Sequence, residues 1–171
     1  MSIRRLSLIA ASLAAIASTA AAAPPLTAQG WGKLRIGMRE RDAVRLFHLR
    51  APKGPGPNPD GFVCHEDEMP SREGLYVMVE RGIVTRITIE APVSLLTDKG
   101  LGIGAAEDEV KRAYGSSLKI QTAPYLEEPA HELDFWTTHR TRGVRYDTNA
   151  AGAVEAIYVG SRAISYIEGC S

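Results

Sequence analysis

Apolar residues recur along this chain with two different periods. Ala43, Leu46 and Phe47 follow the i, i+3, i+4 spacing of one helical face, and Val110, Ala113 and Tyr114 do the same later on. Each set predicts a short helix carrying a single apolar stripe. Glu40 and Asp42, and then Glu107 to Glu109, place acids in the first turn, where the helix dipole favours them. Gly37 and Gly104 are the expected N-caps, and Gly115 the expected stop of the second helix. Strand signals take over at Leu75 to Glu80 and Ile83 to Glu90, which flank Arg81-Gly82 as a tight hairpin. A second hairpin is predicted from Val144 to Thr148 and Val154 to Val159. Shorter strands are expected at Phe62 to Cys64, Leu133 to Thr137 and Ile164 to Ile167.

The two helix–hairpin stretches match each other. Leu34-Arg35-Ile36-Gly37 through Phe47 aligns without gaps on Leu101-Gly102-Ile103-Gly104 through Tyr114. Val84, Ile87 and Ile89 then match Val154, Ile157 and Val159. Loops fall in corresponding places. The run from Ala51 to Gly61 is too rich in proline and glycine for a helix or central strand, and Ala123 to Ala130 holds two prolines. The expectation is an α+β fold of two tandem repeats, residues 23–92 and 93–171. Each is a short helical segment followed by an antiparallel β-meander, and both share one compact domain.

The pattern L-x-I-G followed by a helix and a meander, repeated once, resembles the β-lactamase inhibitor protein family, a tandem of two helix-plus-sheet repeats. It is also similar to the SmpA/BamE group of small outer-membrane lipoproteins, which has one such unit. Those units usually carry Thr or Ser two residues after the glycine, where this chain has Arg39 and Ala106. The resemblance implies a non-enzymatic binding protein, either inhibitor-like or an accessory of envelope assembly. It transfers no contact residue.

Residues 1–22 read as a cleaved secretory signal. Arg4 and Arg5 precede an apolar stretch from Leu6 to Ala17, followed by the small residues Ser18 to Ala23. The stretch is shorter than the ~20 residues a spanning helix needs, so no stable membrane anchor is expected after cleavage. The cysteines, Cys64 and Cys170, leave none at the cleavage point for lipid attachment. The expected location is periplasmic or secreted. There a disulfide between Cys64 and Cys170 is the structural reading of an even cysteine count. The whole chain has 20 basic and 20 acidic side chains; losing Arg4 and Arg5 leaves −2. No basic stripe points to nucleic acid.

Catalytic patterns are weak. His65-Glu66-Asp67-Glu68 offers metal-ligand types, but consecutive strand residues point to opposite faces, so the expectation is a solvated acidic loop and no metal. His131-Glu132 lacks the second histidine of a zinc-hydrolase helix. No cofactor is expected. Strand alternation instead points Tyr76, Met78, Trp136 and Arg145 away from the helices, with Tyr158 undecided. These residue types are enriched at protein interfaces. Together with the loop residues His139 and Arg140 they form the expected binding surface for another envelope or secreted protein. The alternative is a divergent envelope hydrolase or small-ligand binder, whose pocket would need at least two of His48, His65, His131, Glu127 and Glu128. A structural module with no partner surface is the third reading. The intact mass of the exported protein should correspond to cleavage after Ala20 or Ala22; an uncut N-terminus on the exported form would refute the signal assignment.

Overall fold

The computed structural model describes residues 23–51, 63–124 and 129–170. Residues 1–22, expected from sequence to be a signal, most of the first proline-rich loop, Phe62, Glu127 and Glu128 lie outside them. The described residues form two α-helices, two 3-10 turns and two antiparallel sheets. The small sheet holds β1 (Leu26–Thr27), β2 (Gly30–Trp31) and β3 (Leu34–Arg35). The large sheet has seven strands: β4 (Cys64–Glu68), β5 (Leu75–Glu80), β6 (Ile83–Glu90), β7 (Leu118–Thr122), β8 (His131–Trp136), β9 (Gly143–Thr148) and β10 (Val154–Gly160). Their order across the sheet is β4-β5-β6-β10-β9-β8-β7. The helices are α1 (Glu40–Phe47) and α2 (Glu107–Tyr114).

β6 and β10 meet in the middle of the sheet. Ile87 faces Val159, Thr88 faces Tyr158 and Ile89 faces Ile157. Their inward side chains join Leu75, Val77, Leu133, Val144 and Tyr146 in one core, into which α1 sends Ala43 and α2 sends Val110 and Tyr114. Alternation buries one face of every central strand under the helices and the small sheet. Tyr114 and Tyr146 join their hydroxyls at 2.9 Å, and the Tyr146 hydroxyl also reaches Thr97 at 3.1 Å, so both buried phenols find partners.

The approaches to the two helices use the same backbone contacts. Gly37 N–H donates to the Val84 carbonyl, and Val84 N–H to Met38. Gly104 N–H donates to the Val154 carbonyl, and Val154 N–H to Ala105. Glu40 N–H reaches Gly82 O at 2.9 Å, and Glu107 N–H reaches Gly152 O at the same distance. Gly37 and Gly104 have φ of 92° and 84°, which a side chain would resist. They are therefore turn residues before the helices, and the N-caps are Arg39 and Ala106. Ala106 N–H is met by the Glu109 carboxylate at 2.9 Å.

Three further expectations change. Leu46 is 49% exposed, because α1 turns Ala43 and Phe47 inward and leaves Val44 and Leu46 outside. The acidic run expected as a loop is strand β4, paired along its length with β5. The strand expected at Ile164 to Ile167 is a 3-10 turn, Arg162–Ser165. Ser161 accepts the Ala163 and Ile164 amides on its side chain and carbonyl respectively, which curls the chain before it can extend.

That turn begins a strap across the face of the sheet opposite the helices, lying over β6, β9 and β10. Ile164 is 1% exposed and packs where Gly143 lacks a side chain; a Cβ there would stand 2.6 Å from Ile164 Cδ1. Arg86 holds the strap through the carbonyl of Ala163 at 3.0 Å. The Cys64–Cys170 disulfide, spanning 106 residues of sequence, fixes its end to edge strand β4. Closing so large a loop restricts the unfolded chain, an effect worth about 2–4 kcal/mol in typical proteins. The double variant Cys64→Ser/Cys170→Ser should lose stability of that order in urea titration and expose residues 161–170 to protease. Unchanged stability and protease resistance would show that Arg86 and Ile164 hold the strap without the bond.

Candidate functional site on the outer sheet face

The face under the strap is polar and largely paired. Arg145 on β9 is buried and reaches Asp134 through Nε at 2.7 Å and Nη2 at 3.2 Å. Its Nη1 meets Glu132 at 2.8 Å. Burial disfavours the guanidinium charge, but these carboxylates outweigh it and strengthen its hold on its proton. Glu132 also accepts from Gln121 of β7. On the other half of the sheet Arg86 is buried, ion-paired with Glu66 and stacked 5.0 Å from the centre of the Tyr158 ring. A buried guanidinium stripped of its acids would be costly, so these pairs fix the register of the outer face.

Tyr76, Met78, Trp136 and Arg145 all project from this face, as alternation predicts, and the register places Tyr158 there too. They do not form one surface. Met78 is fully buried and Arg145 is 3% exposed. Neither side chain is free to meet a partner, because local alternation determines direction while the strap and the acid pairs determine access. Tyr76 on β5 and Trp136 on β8 are separated by β6, β10 and β9, about 19 Å at ordinary strand spacing. His139 and Arg140 are exposed on the turn between β8 and β9.

Two clefts open on this face, the first of them at the margin of the strap. One, of about 380 Å³, is lined by Trp136, Lys119, Arg140, Arg162, Asp134 and two serines. It keeps two of the expected surface residues and adds two cations absent from that expectation. Lys119 belongs to β7, whose Leu-Lys-Ile-Gln-Thr alternation is a strand signal in plain sequence. Arg162 arrives on the strap, which no local pattern announces. The other cleft, of about 400 Å³, is acidic, lined by Glu90, Asp147, Glu155 and Tyr158. Burial pushes the Asp147 carboxyl up to about 7 against the pull of Arg145, and its Oδ1 has no hydrogen-bond partner. Burial and neighbouring acids raise Glu90 as well.

The histidines lie elsewhere. His48 caps the C-terminus of α1 with φ 54° and is exposed. His65 and His131 are the helix-side residues of β4 and β8, and each contacts the first glutamate of its own half's helix. His65 Nε2 lies 3.1 Å from Glu40, and His131 Nδ1 lies 3.0 Å from Glu107. Comparison with known proteins finds no matching family model, no matching curated protein and no matching solved structure.

The raised Asp147 carboxyl has a thermodynamic consequence. Between the ordinary carboxylate range and about pH 7 the folded chain keeps a proton that the unfolded chain has released. The associated stability is complete at acid pH and is lost as pH rises through 7. Asp147→Asn should therefore raise the melting temperature over wild type at pH 8, with the gain shrinking toward zero near pH 4. An equal gain at both pH values would contradict the assignment.

Proposed function

We propose that this chain is an exported, non-enzymatic binding module of two tandem helix-plus-meander units. In this reading the Trp136 cleft receives an acid-bearing segment of another envelope or secreted protein. The observation that carries the reading is the cleft itself. Strand β7, the β8–β9 turn and the strap bring Lys119, Arg140 and Arg162 around one indole. An aromatic anchor ringed by cations suits a partner offering a carboxylate beside an apolar group. Asp134 also lines the cleft but is already engaged by Arg145.

The matched contacts around Gly37 and Gly104 support the tandem organisation, as does the pairing of Ile87 and Ile89 with Val159 and Ile157. Under a two-fold relation each half contributes the last strand of its meander to the central pair. The likeness to the β-lactamase inhibitor protein family agrees with an inhibitor-like role, and the likeness to the SmpA/BamE group with an assembly accessory. The volume of the cleft also favours a second reading, capture of a small anionic ligand, since binding pockets for such molecules run from about 300 Å³ upward.

Affinity capture from periplasmic extract would decide between them. Wild type should retain a specific protein that Trp136→Ala loses and that Lys119→Glu/Arg162→Glu loses more completely. Identical capture by all three would remove this cleft as the binding surface. A protein-free extract fraction that alone raises the melting temperature of wild type would favour the small-ligand reading.

A further inference from the structure

The two glutamate–histidine pairs occupy the same place in their halves. Glu40 and Glu107 are the first residues of α1 and α2. His65 faces Val79, which faces Val84; His131 faces Thr148, which faces Val154. Val84 and Val154 are the strand residues that bond the turns before the helices. Around these matched pairs the charges differ.

In the second half the pair is neutralised from within. Lys111, four residues after Glu107, reaches its Oε1 at 2.7 Å, and the Thr148 hydroxyl donates to Oε2 at 3.4 Å. Lys111 and His131 together hold the Glu107 carboxyl below the usual range although burial opposes them. The strand residue two beyond His131 is Leu133, fully buried in the core.

The first half lacks that balance. The residue four after Glu40 is Val44, so the lysine is missing. The residue two beyond His65 is Asp67, which occupies the register of Leu133: Asp67 faces Val77, which faces Ile87, as Leu133 faces Tyr146, which faces Ile157. Asp67 is 1% exposed, and neither of its carboxylate oxygens has a hydrogen-bond partner. Its Oδ1 lies 3.4 Å from His65 Nε2, on the nitrogen that also meets Glu40 Oε1 at 3.1 Å. Burial raises its carboxyl, and among the described residues the charged groups acting on it are His65, which opposes that shift, and Glu40, which adds to it. One ring proton cannot serve two carboxylates at once. A second carboxylate thus stands where the other half keeps a leucine, and the cation of the other half is gone.

We propose that Glu40, His65 and Asp67 bind a divalent first-row transition-metal ion of the Zn²⁺ type. One ligand atom from each lies within 4.8 Å of the other two. The 3.1 and 3.4 Å separations are close to the roughly 3.4 Å edge of a tetrahedral shell with ligands about 2.1 Å from the ion. An imidazole with two carboxylates suits Zn²⁺, Co²⁺ or Mn²⁺ better than a thiolate-seeking ion. The ion would supply the charge that Lys111 supplies in the second half. Strand alternation puts His65 and Asp67 on one face, while Glu66 and Glu68, pointing the other way, take no part. This site shares no residue with the Trp136 cleft and stands whether or not that cleft binds a partner.

The test uses the oxidised mature chain, whose cysteines are both in the disulfide. Titration with Zn²⁺ by calorimetry, and with Co²⁺ by visible absorption, should give one equivalent bound and a higher melting temperature. Glu40→Gln and Asp67→Leu should each weaken binding at least 10-fold. Val44→Lys, at a position 37% exposed, rebuilds the lysine of the second half without touching the core and should abolish binding. Lys111→Ala should leave the wild-type site at full affinity. Absence of binding to wild type at 100-fold excess metal, or binding of undiminished affinity in Val44→Lys, would overturn the proposal. Should Asp67→Leu fail to fold, Val44→Lys and Glu40→Gln decide it.

Discussion

The pairing of β6 with β10 is the constraint on which the rest of the molecule depends. It turns two three- or four-stranded meanders into one seven-stranded sheet and brings Ile87, Ile89, Ile157 and Val159 side by side over the core. A two-layer domain needs one continuous apolar face to cover, and two separate meanders of this size would each leave an open edge at β6 and β10. Because the pairing is antiparallel and centred on Thr88 and Tyr158, it also sets the opposite face. Arg86 comes beneath the Tyr158 ring, and Asp147 lies beside it.

That opposite face shows what happens when buried polar groups must be satisfied in a low-dielectric layer. Arg145 gathers Asp134 and Glu132, and Arg86 gathers Glu66 and a strap carbonyl. Once those pairs form, the strap can close over them, Ile164 seating against Gly143 and Cys170 reaching Cys64. Two clefts remain open on this face, an acidic one beside Tyr158 and a basic one around Trp136 at the edge of the strap.

The helix side carries a different asymmetry. The halves keep the same turn before each helix and the same glutamate–histidine contact, yet differ in charge around it. A lysine and a threonine stabilise the second pair, while the first gains a buried carboxylate and loses the lysine. Matched backbones with unmatched charge are the condition under which one half can acquire a site that the other lacks.

Much of this was legible in the residues. Both hairpins, both helices and the cysteine pair follow from period, turn chemistry and an even cysteine count, all local or nearly local signals. So does the outward direction of Tyr76, Met78, Trp136 and Arg145. Tertiary structure alone decided which of those side chains meet solvent. Burial of Met78 and Arg145 depends on a strap that returns from the far end of the chain and on acids from neighbouring strands. It also decided that Glu40 joins His65 and Asp67, since helix and strand residues 25 or more positions apart become neighbours only when the sheet is assembled. Pattern along a chain records which way each side chain points; only the folded arrangement determines what stands there to meet it.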